Sequence, residues 1–310
     1  MRVIHRVSAI LGDSTLAGFA KGLGAEGRSE ATRRSYQADL GRFRAWIESS
    51  RGAGVVLSRI KADDLASYRK HLIETEKLRP ASINRKVKAL KRFFGWAQQE
   101  KIIHSNPAAA LQFLRRQERR PPNGLRGEEI QALLRAAGQT GHGLASRNYA
   151  LLQLLLQTGL RVGEAARLVV ADCELNDRSG LVHVRGGADG KERIVPLSTS
   201  ARRAIALYLQ TRAGYSTQDA LFLSERGGEA MSLRAMQATI QQLARRAKIT
   251  RIPVSAHTCR HSFALSFLRR NPCQETELAA LLGHDSLDST TIYLRRLPGG
   301  TTPGAEDADE

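Results

Sequence analysis

The chain is short of cysteine, of acidic residues and of long apolar runs. Only Cys173, Cys259 and Cys273 occur in 310 residues, and no two form a CxxC pair. A secreted disulfide framework and a cysteine-based zinc site are therefore not expected, and a reducing cytoplasm fits. No apolar stretch approaches the roughly 18 residues of a membrane span. The opening Met1-Arg2-Val3-Ile4-His5-Arg6 lacks the apolar segment of a signal peptide. No internal repeat is found. Hydrophobic residues still make up 42% of the chain, enough for real cores, which excludes global disorder.

The shortage of acid has a sharper consequence. Against 48 Lys and Arg stand 30 Asp and Glu, a formal charge of +18. Residues 1–120 hold 25 basic and 11 acidic residues, net +14. Residues 121–310 hold 23 and 19, net +4, with four acids among the last five positions. Phosphate backbone is the usual target of so cationic a segment, because each neutralised phosphate releases a counterion. The competing explanation is solubility in an arginine-biased host, since 38 of the 48 are Arg.

Helical spacing organises the first part. Ser29-Glu30-Ala31-Thr32 reads as a helix start, followed by the stripe Tyr36, Leu40, Phe43 and Ile47, with Arg33, Arg34, Arg42 and Arg44 off it. Asp63 can cap a second helix. A third begins at Pro80-Ala81-Ser82. Its apolar stripe is Ile83, Val87, Leu90, Phe94 and Ala97, which predicts a basic outer face of Arg85, Lys86, Lys88 and Arg92. Arg42, Arg44, Arg85 and Lys88 are the candidate DNA-binding residues. The polar, Pro-rich stretch 115–124 reads as an interdomain linker.

The second part opens with a helix near Gly127–Ala137. A thoroughly apolar helix follows over Tyr149–Gln157, stopped by Gly159, and another is expected from Arg161 to Val169. Two strands, 181–185 and 192–197, flank the glycine-rich hairpin tip 186–191. The rest is helical: 199–211, 233–248, 255–269, 275–282 and a last turn at 289–294. From Pro298 the Gly/Pro-rich, acidic tail reads as disordered and dispensable.

Four separated clusters carry chemistry. Arg161 and Glu164, in Thr158-Gly159-Leu160-Arg161-Val162-Gly163-Glu164, share a helix face. In His257-Thr258-Cys259-Arg260-His261 the two imidazoles and the guanidinium fall within about a third of a helix circumference, which predicts a polar face opposite Ala256, Cys259, Phe263 and Phe267. His257 and His261 at i,i+4 raise the alternative of a metal site. Arg260 between them would repel a divalent cation, and the glutamate of an HExxH motif is missing. Gly283-His284 ends a helix, and Tyr293 follows nine residues later. Together these groups suit a phosphodiester. Guanidiniums bind its non-bridging oxygens bidentately and keep their charge. They would stabilise the added negative charge of pentacoordinate phosphorus without a metal. Histidines donate hydrogen bonds or move protons, and a tyrosine hydroxyl can form a covalent phosphotyrosine that conserves bond energy.

With these residues in this order, the chain resembles the tyrosine recombinase (phage integrase-like) family, most closely its Xer type. The matching stretches are TGLRVGE at 158–164, KERIVPLS at 191–198, the H-x-x-R-H box at 257–261, LGH at 282–284 and Tyr293. The resemblance covers roughly residues 12–295. It implies a mainly α fold with a helical SAM-like core-binding domain over 12–118. An α-rich catalytic domain with a small β-hairpin would follow over 125–297, the two forming a C-shaped DNA clamp. It implies Arg161 and Arg260 as phosphate-binding arginines, and His257 on the phosphate and in proton transfer. His284 would contact a phosphate oxygen and Tyr293 would act as nucleophile, with Glu164 and His261 supporting. Xer-like hairpins often read G-K-G-x-K-E-R. Here the turn has no lysine at the first position and is one residue longer, so either Lys191, the one lysine nearby, acts as general acid, or His257 or water does that work. The implied activity is site-specific cutting and rejoining of duplex DNA through a 3′-phosphotyrosine, by a tetramer of like or paired recombinases, with no cofactor and no metal. The implied location is the bacterial cytoplasm, on the nucleoid. The rivals are a type IB topoisomerase, disfavoured by the separate basic domain, and a non-catalytic DNA-binding protein on the same scaffold. A single-strand transposase would need a His-hydrophobe-His motif that is missing.

Overall fold

A computed structural model describes residues 9–115, 123–141, 144–186, 192–212, 214–225, 228–284 and 288–294. The chain divides into two compact units at Arg119/Arg120. Lys191 and the tail from 295 lie outside the described residues.

The first unit is four helices: α1 (Asp13–Ala25), α2 (Glu30–Arg51), α3 (Ala62–Glu74) and α4 (Pro80–Gln99). Ser29 caps α2 by accepting the Thr32 N–H at 3.3 Å, as its sequence predicts. Pro80 occupies the first turn of α4, where its missing N–H costs nothing. The apolar stripes meet in one core containing Phe19, Phe43, Tyr68, Phe93 and Phe94. Three sequence expectations are corrected here. Helix α1 was not expected. Helix α3 starts at Ala62 rather than after Asp63, because the Asp64 carboxylate accepts the Lys61 N–H at 2.7 Å. Lys86 does not face outward. It is 3% exposed and its Nζ lies 3.0 Å from the Asp39 carboxylate on α2, a charge buried together with its partner.

The second unit begins with α5 (Gly127–Gly138) and α6 (Leu144–Thr158). Helix α6 is the central element. It packs against α5 and against the later helices over Thr199–Gln210 and Ala256–Arg270, and buries Leu151, Leu152, Leu154 and Leu155. Burying each such leucine contributes roughly 1.5–3 kcal/mol. A three-stranded antiparallel sheet follows, β1 (Cys173–Leu175), β2 (Gly180–Val184) and β3 (Arg193–Pro196), with β2 in the middle and Val182 opposite Val195. Helices α8 (Thr199–Gln210), α9 (Leu233–Arg246), α10 (Ala256–Arg270) and α11 (Glu275–Leu282) come next. The helix expected over 161–169 is a single turn, α7 (Val162–Ala165). Beyond it the chain turns extended, because Leu221 N–H donates to Leu168 O at 2.8 Å and Val169 bridges Ala220. The short α12 (Asp288–Thr291) brings in Tyr293, which packs with Phe263, Leu265, Leu268, Leu278 and Leu282 in a small cluster separate from the main core.

Candidate functional site

The end of α11 is where the sequence clusters meet. A helix leaves its last carbonyls without intrahelical partners, and the negative end of its dipole favours cations there. Three successive carbonyls at this terminus each accept from a different guanidinium. Arg193 Nε donates to Leu281 O at 2.7 Å, Arg260 Nη2 to Leu282 O at 2.7 Å, and Arg161 Nη2 to Gly283 O at 3.3 Å. Gly283 ends the helix in the left-handed conformation, φ +64°. A Cβ there would stand 3.0 Å from Arg193 Nη1, so glycine meets both the backbone and the space requirement.

Arg260 is 5% exposed. Its Nη1 donates to Gly159 O at 2.7 Å, so the guanidinium spans the α6–α7 turn and the end of α11. That corrects the expectation of a polar outward face on α10, whose Thr258, Cys259, Arg260 and Ser262 are all buried. Gly159 makes the turn possible at φ +63°. A Cβ would fall 2.4 Å from Phe263 Cδ1, which real structures do not tolerate. Burial, with the neighbouring Arg161 charge added, pulls the Arg260 guanidinium down to about 10, while Glu164 opposes that shift. It remains a cation at neutral pH.

Glu164 is the counter-charge of the group. Its carboxylate accepts the Arg161 N–H at 2.8 Å, capping α7, and Arg161 Nη1 at 3.1 Å. It also accepts both Arg193 Nη atoms, at 3.0 and 2.8 Å. Burial pushes this carboxyl up, but the Arg193 bonds, the Arg161 N–H and the arginine charges outweigh it and hold it below the usual carboxylate range. Arg161 itself stays 41% exposed, anchored on one side and open on the other.

Tyr293 is 3% exposed, and its hydroxyl lies 2.8 Å from His261 Nδ1. Burial raises its phenol, and the Arg260 charge pulls it back toward ionisation. Burial, then the His257 and Arg260 charges, lower the His261 imidazole to about 4. His284 Nδ1 lies 2.8 Å from the buried Thr290 hydroxyl, linking the end of α11 to α12. His257, in the first turn of α10, is exposed. Among the described residues no three His, Cys, Asp or Glu side chains cluster closely enough to hold a metal ion.

The structure thus brings together Arg161, Glu164, Arg260, His261, His284 and Tyr293. Sequence reasoning missed Arg193. Its signal was a charge at a strand position that shares the inward face with Val195. In the first unit, Arg85 and Lys88 line one concave patch with Asn84, Phe113 and Leu114. Apart from Lys88, the proposed DNA contacts already have carboxylate partners: Arg85 reaches Asp39 at 2.6 Å, Arg44 Asp13 at 2.5 Å, and Arg42 Glu76 at 3.8 Å. Lys88 is exposed and has no carboxylate partner among the described residues.

Comparison with known proteins identifies the family of the chain. The phage integrase family matches residues 123–298, and the phage integrase N-terminal SAM-like domain matches residues 16–101. Tyrosine recombinase XerD of Ralstonia nicotianae is 32% identical over 272 residues, covering 86% of this chain and 84% of its own. Tyrosine recombinase XerC of Bacillus subtilis is 31% identical over 218 residues, 68% of this chain and 69% of its own. In fold, the chain is similar to the XerH site-specific recombinase bound to its difH substrate in a pre-cleavage complex. That match has a TM-score of 0.70 and 22% identity, over 91% of this chain and 80% of that one. It is also similar to a lambda integrase dimer bound to a core site, at TM-score 0.68 and 19% identity, over 89% of this chain and 96% of that one. The chain belongs to the phage integrase family of tyrosine recombinases.

Proposed function

We propose that this protein cuts and rejoins duplex DNA at a specific recombination site through a 3′-phosphotyrosine. The observation that carries the reading is the convergence of Arg161 and Arg260 on adjacent carbonyls at the end of α11, with the Tyr293 phenol held one residue along α10 from Arg260. Two guanidiniums fixed by the backbone are preorganised for the non-bridging oxygens of a phosphodiester, and their charge counts most as phosphorus becomes pentacoordinate. The Tyr293 oxygen forms a bond to phosphorus while the bond to the 5′-oxygen breaks. The phenolic proton passes to His257, and the departing 5′-oxygen takes a proton from Lys191. His284 donates to a phosphate oxygen. The reverse steps, with a 5′-hydroxyl from another strand attacking the phosphotyrosine, give exchange and rejoining without a nucleotide.

In this reading residues 12–118 and 125–297 grip the duplex as two domains. The protein works as a tetramer, of itself or with a second recombinase, on the bacterial nucleoid. Residues 299–310 are dispensable for cleavage and synapsis. The test is Tyr293→Phe, which removes only the phenolic oxygen. Duplexes recovered by the wild-type protein from a randomised library, then nicked to trap the intermediate, should give a covalent adduct with wild type and none with the variant. Binding of the same duplex should be nearly unchanged. An adduct that persists in Tyr293→Phe refutes the nucleophile.

A further inference from the structure

The polar group in contact with the Tyr293 hydroxyl is not His257. It is Nδ1 of His261, at 2.8 Å, with the two rings 5.6 Å apart and tilted by 56°. The tyrosine ring belongs to a buried apolar cluster with Phe263, Leu265, Leu268, Leu278 and Leu282. His261 is itself fixed. It follows Arg260 on α10, and Arg260 is pinned to Gly159 O and Leu282 O at 2.7 Å each. From the other side, the Tyr293 N–H donates to Thr290 O at 3.0 Å. The phenol is thus clamped between a rigid helix and a short turn. One hydrogen bond decides its rotation and depth.

Burial favours the neutral imidazole and the neutral phenol alike. Between a neutral imidazole and a neutral phenol, the tautomer with its proton on Nε2 leaves Nδ1 to accept the Tyr293 O–H, and it is this arrangement that the inference takes up.

Building on the proposed strand-transfer reading, we infer that His261 is the positioning residue of the nucleophile: its Nδ1 accepts the Tyr293 hydroxyl and sets where the phenolic oxygen stands relative to a phosphate held by Arg161 and Arg260. Its role is positioning before the reaction: in the proposed step the phenol O–H turns from Nδ1 to His257, which takes the proton. Misplacing a reacting atom by about 1 Å costs on the order of 10²-fold in rate, which sets the expected size of the effect.

The experiment compares three variants of the full chain on the nicked duplex selected by wild type. His261→Phe keeps a ring but has no acceptor. His261→Asn places a carboxamide oxygen close to where Nδ1 stands. His261→Gln reaches the Nε2 position instead. Single-turnover adduct formation at saturating DNA should fall about 10²-fold in His261→Phe and His261→Gln, with DNA affinity and melting temperature near wild type. His261→Asn should recover at least about tenfold of that loss, on the same positional argument. If His261→Phe does not fold, the contrast between Asn and Gln decides alone. Adduct formation in His261→Phe or His261→Gln equal to or faster than wild type overturns the inference, as does a His261→Asn no better than His261→Gln. A wild-type protein that forms no adduct through Tyr293 overturns the strand-transfer reading instead.

Discussion

Replacing Arg193 with methionine should convert Glu164 from a stabilising carboxylate into a buried, poorly compensated charge. In the native protein Arg193 gives Glu164 two hydrogen bonds, at 3.0 and 2.8 Å, and both side chains are at most 8% exposed. Removing one partner of such a pair costs about 3–5 kcal/mol, because the other keeps its desolvation penalty. For a unit of this size that is a loss of roughly 6–20 °C in melting temperature. The sign with pH is distinctive. The native Glu164 pKa is depressed, so its contribution is present above the unfolded carboxylate value and is lost as pH falls through the folded one. Without Arg193, burial outweighs what Arg161 supplies, and the folded pKa rises above the unfolded one. The variant's penalty is then greatest at neutral pH and disappears as pH falls below the unfolded value. Urea unfolding of wild type, Arg193→Met, Glu164→Gln and the double variant, from pH 4 to 8, tests this. The gap between wild type and Arg193→Met should narrow toward acid, and the double variant should show a coupling of about 1–3 kcal/mol. A loss under about 1 kcal/mol, flat with pH, would refute the assignment of Arg193 as the partner that keeps Glu164 ionised.

Arg161→Ala and Arg260→Ala should each slow cleavage on the order of 10²-fold or more, and EDTA should leave the wild-type rate unchanged. The two should part on stability: Arg260→Ala orphans Gly159 O and Leu282 O in the interior and lowers the melting temperature, while the half-exposed Arg161 can be removed with little change. In the full chain, Lys88→Ala should reduce the slope of log K against log salt by roughly 0.9, as for one phosphate contact. Arg44→Ala should reduce it less, since Arg44 is already held by Asp13. Equal slopes would place the duplex on another face.

What the sequence disclosed and what it hid divide by distance along the chain. Ser29 and Ser255 announce helix starts because a cap is read within three residues. The clusters at 158–164, 257–261 and 282–293 could be assigned through family spacing. Helix α1 stayed hidden because Gly18, Gly22 and Gly24 dilute its pattern. Gly18 and Gly22 lie under the Trp96 ring, where a Cβ at Gly22 would stand 3.0 Å from its indole nitrogen. The truncation of α7 depends on pairing with residues 220–221, some fifty positions on. Lys86 looked like a surface cation because its partner Asp39 lies on another helix. At α7 and Lys86 a non-local contact overrode a local pattern that was itself correctly read.

Arg193 shows how the proposed site can rest on a residue that lies inside a family motif, KERIVPLS, yet was given no role from it. The end of α11 offers three carbonyls in a row, and like charges gathered there repel one another unless an anion stands among them. Glu164 is that anion, and Arg193 is the larger of the two arginine partners that keep it ionised while buried, so the open side of Arg161 owes its placement in part to a strand residue. The same terminus reaches the nucleophile. Leu282 holds Arg260 through its carbonyl and packs its side chain in the cluster that contains Tyr293. Helix α11 is therefore common to the half of the site that would stabilise charge on phosphorus and the half that would attack it, and a displacement of that helix alters both together.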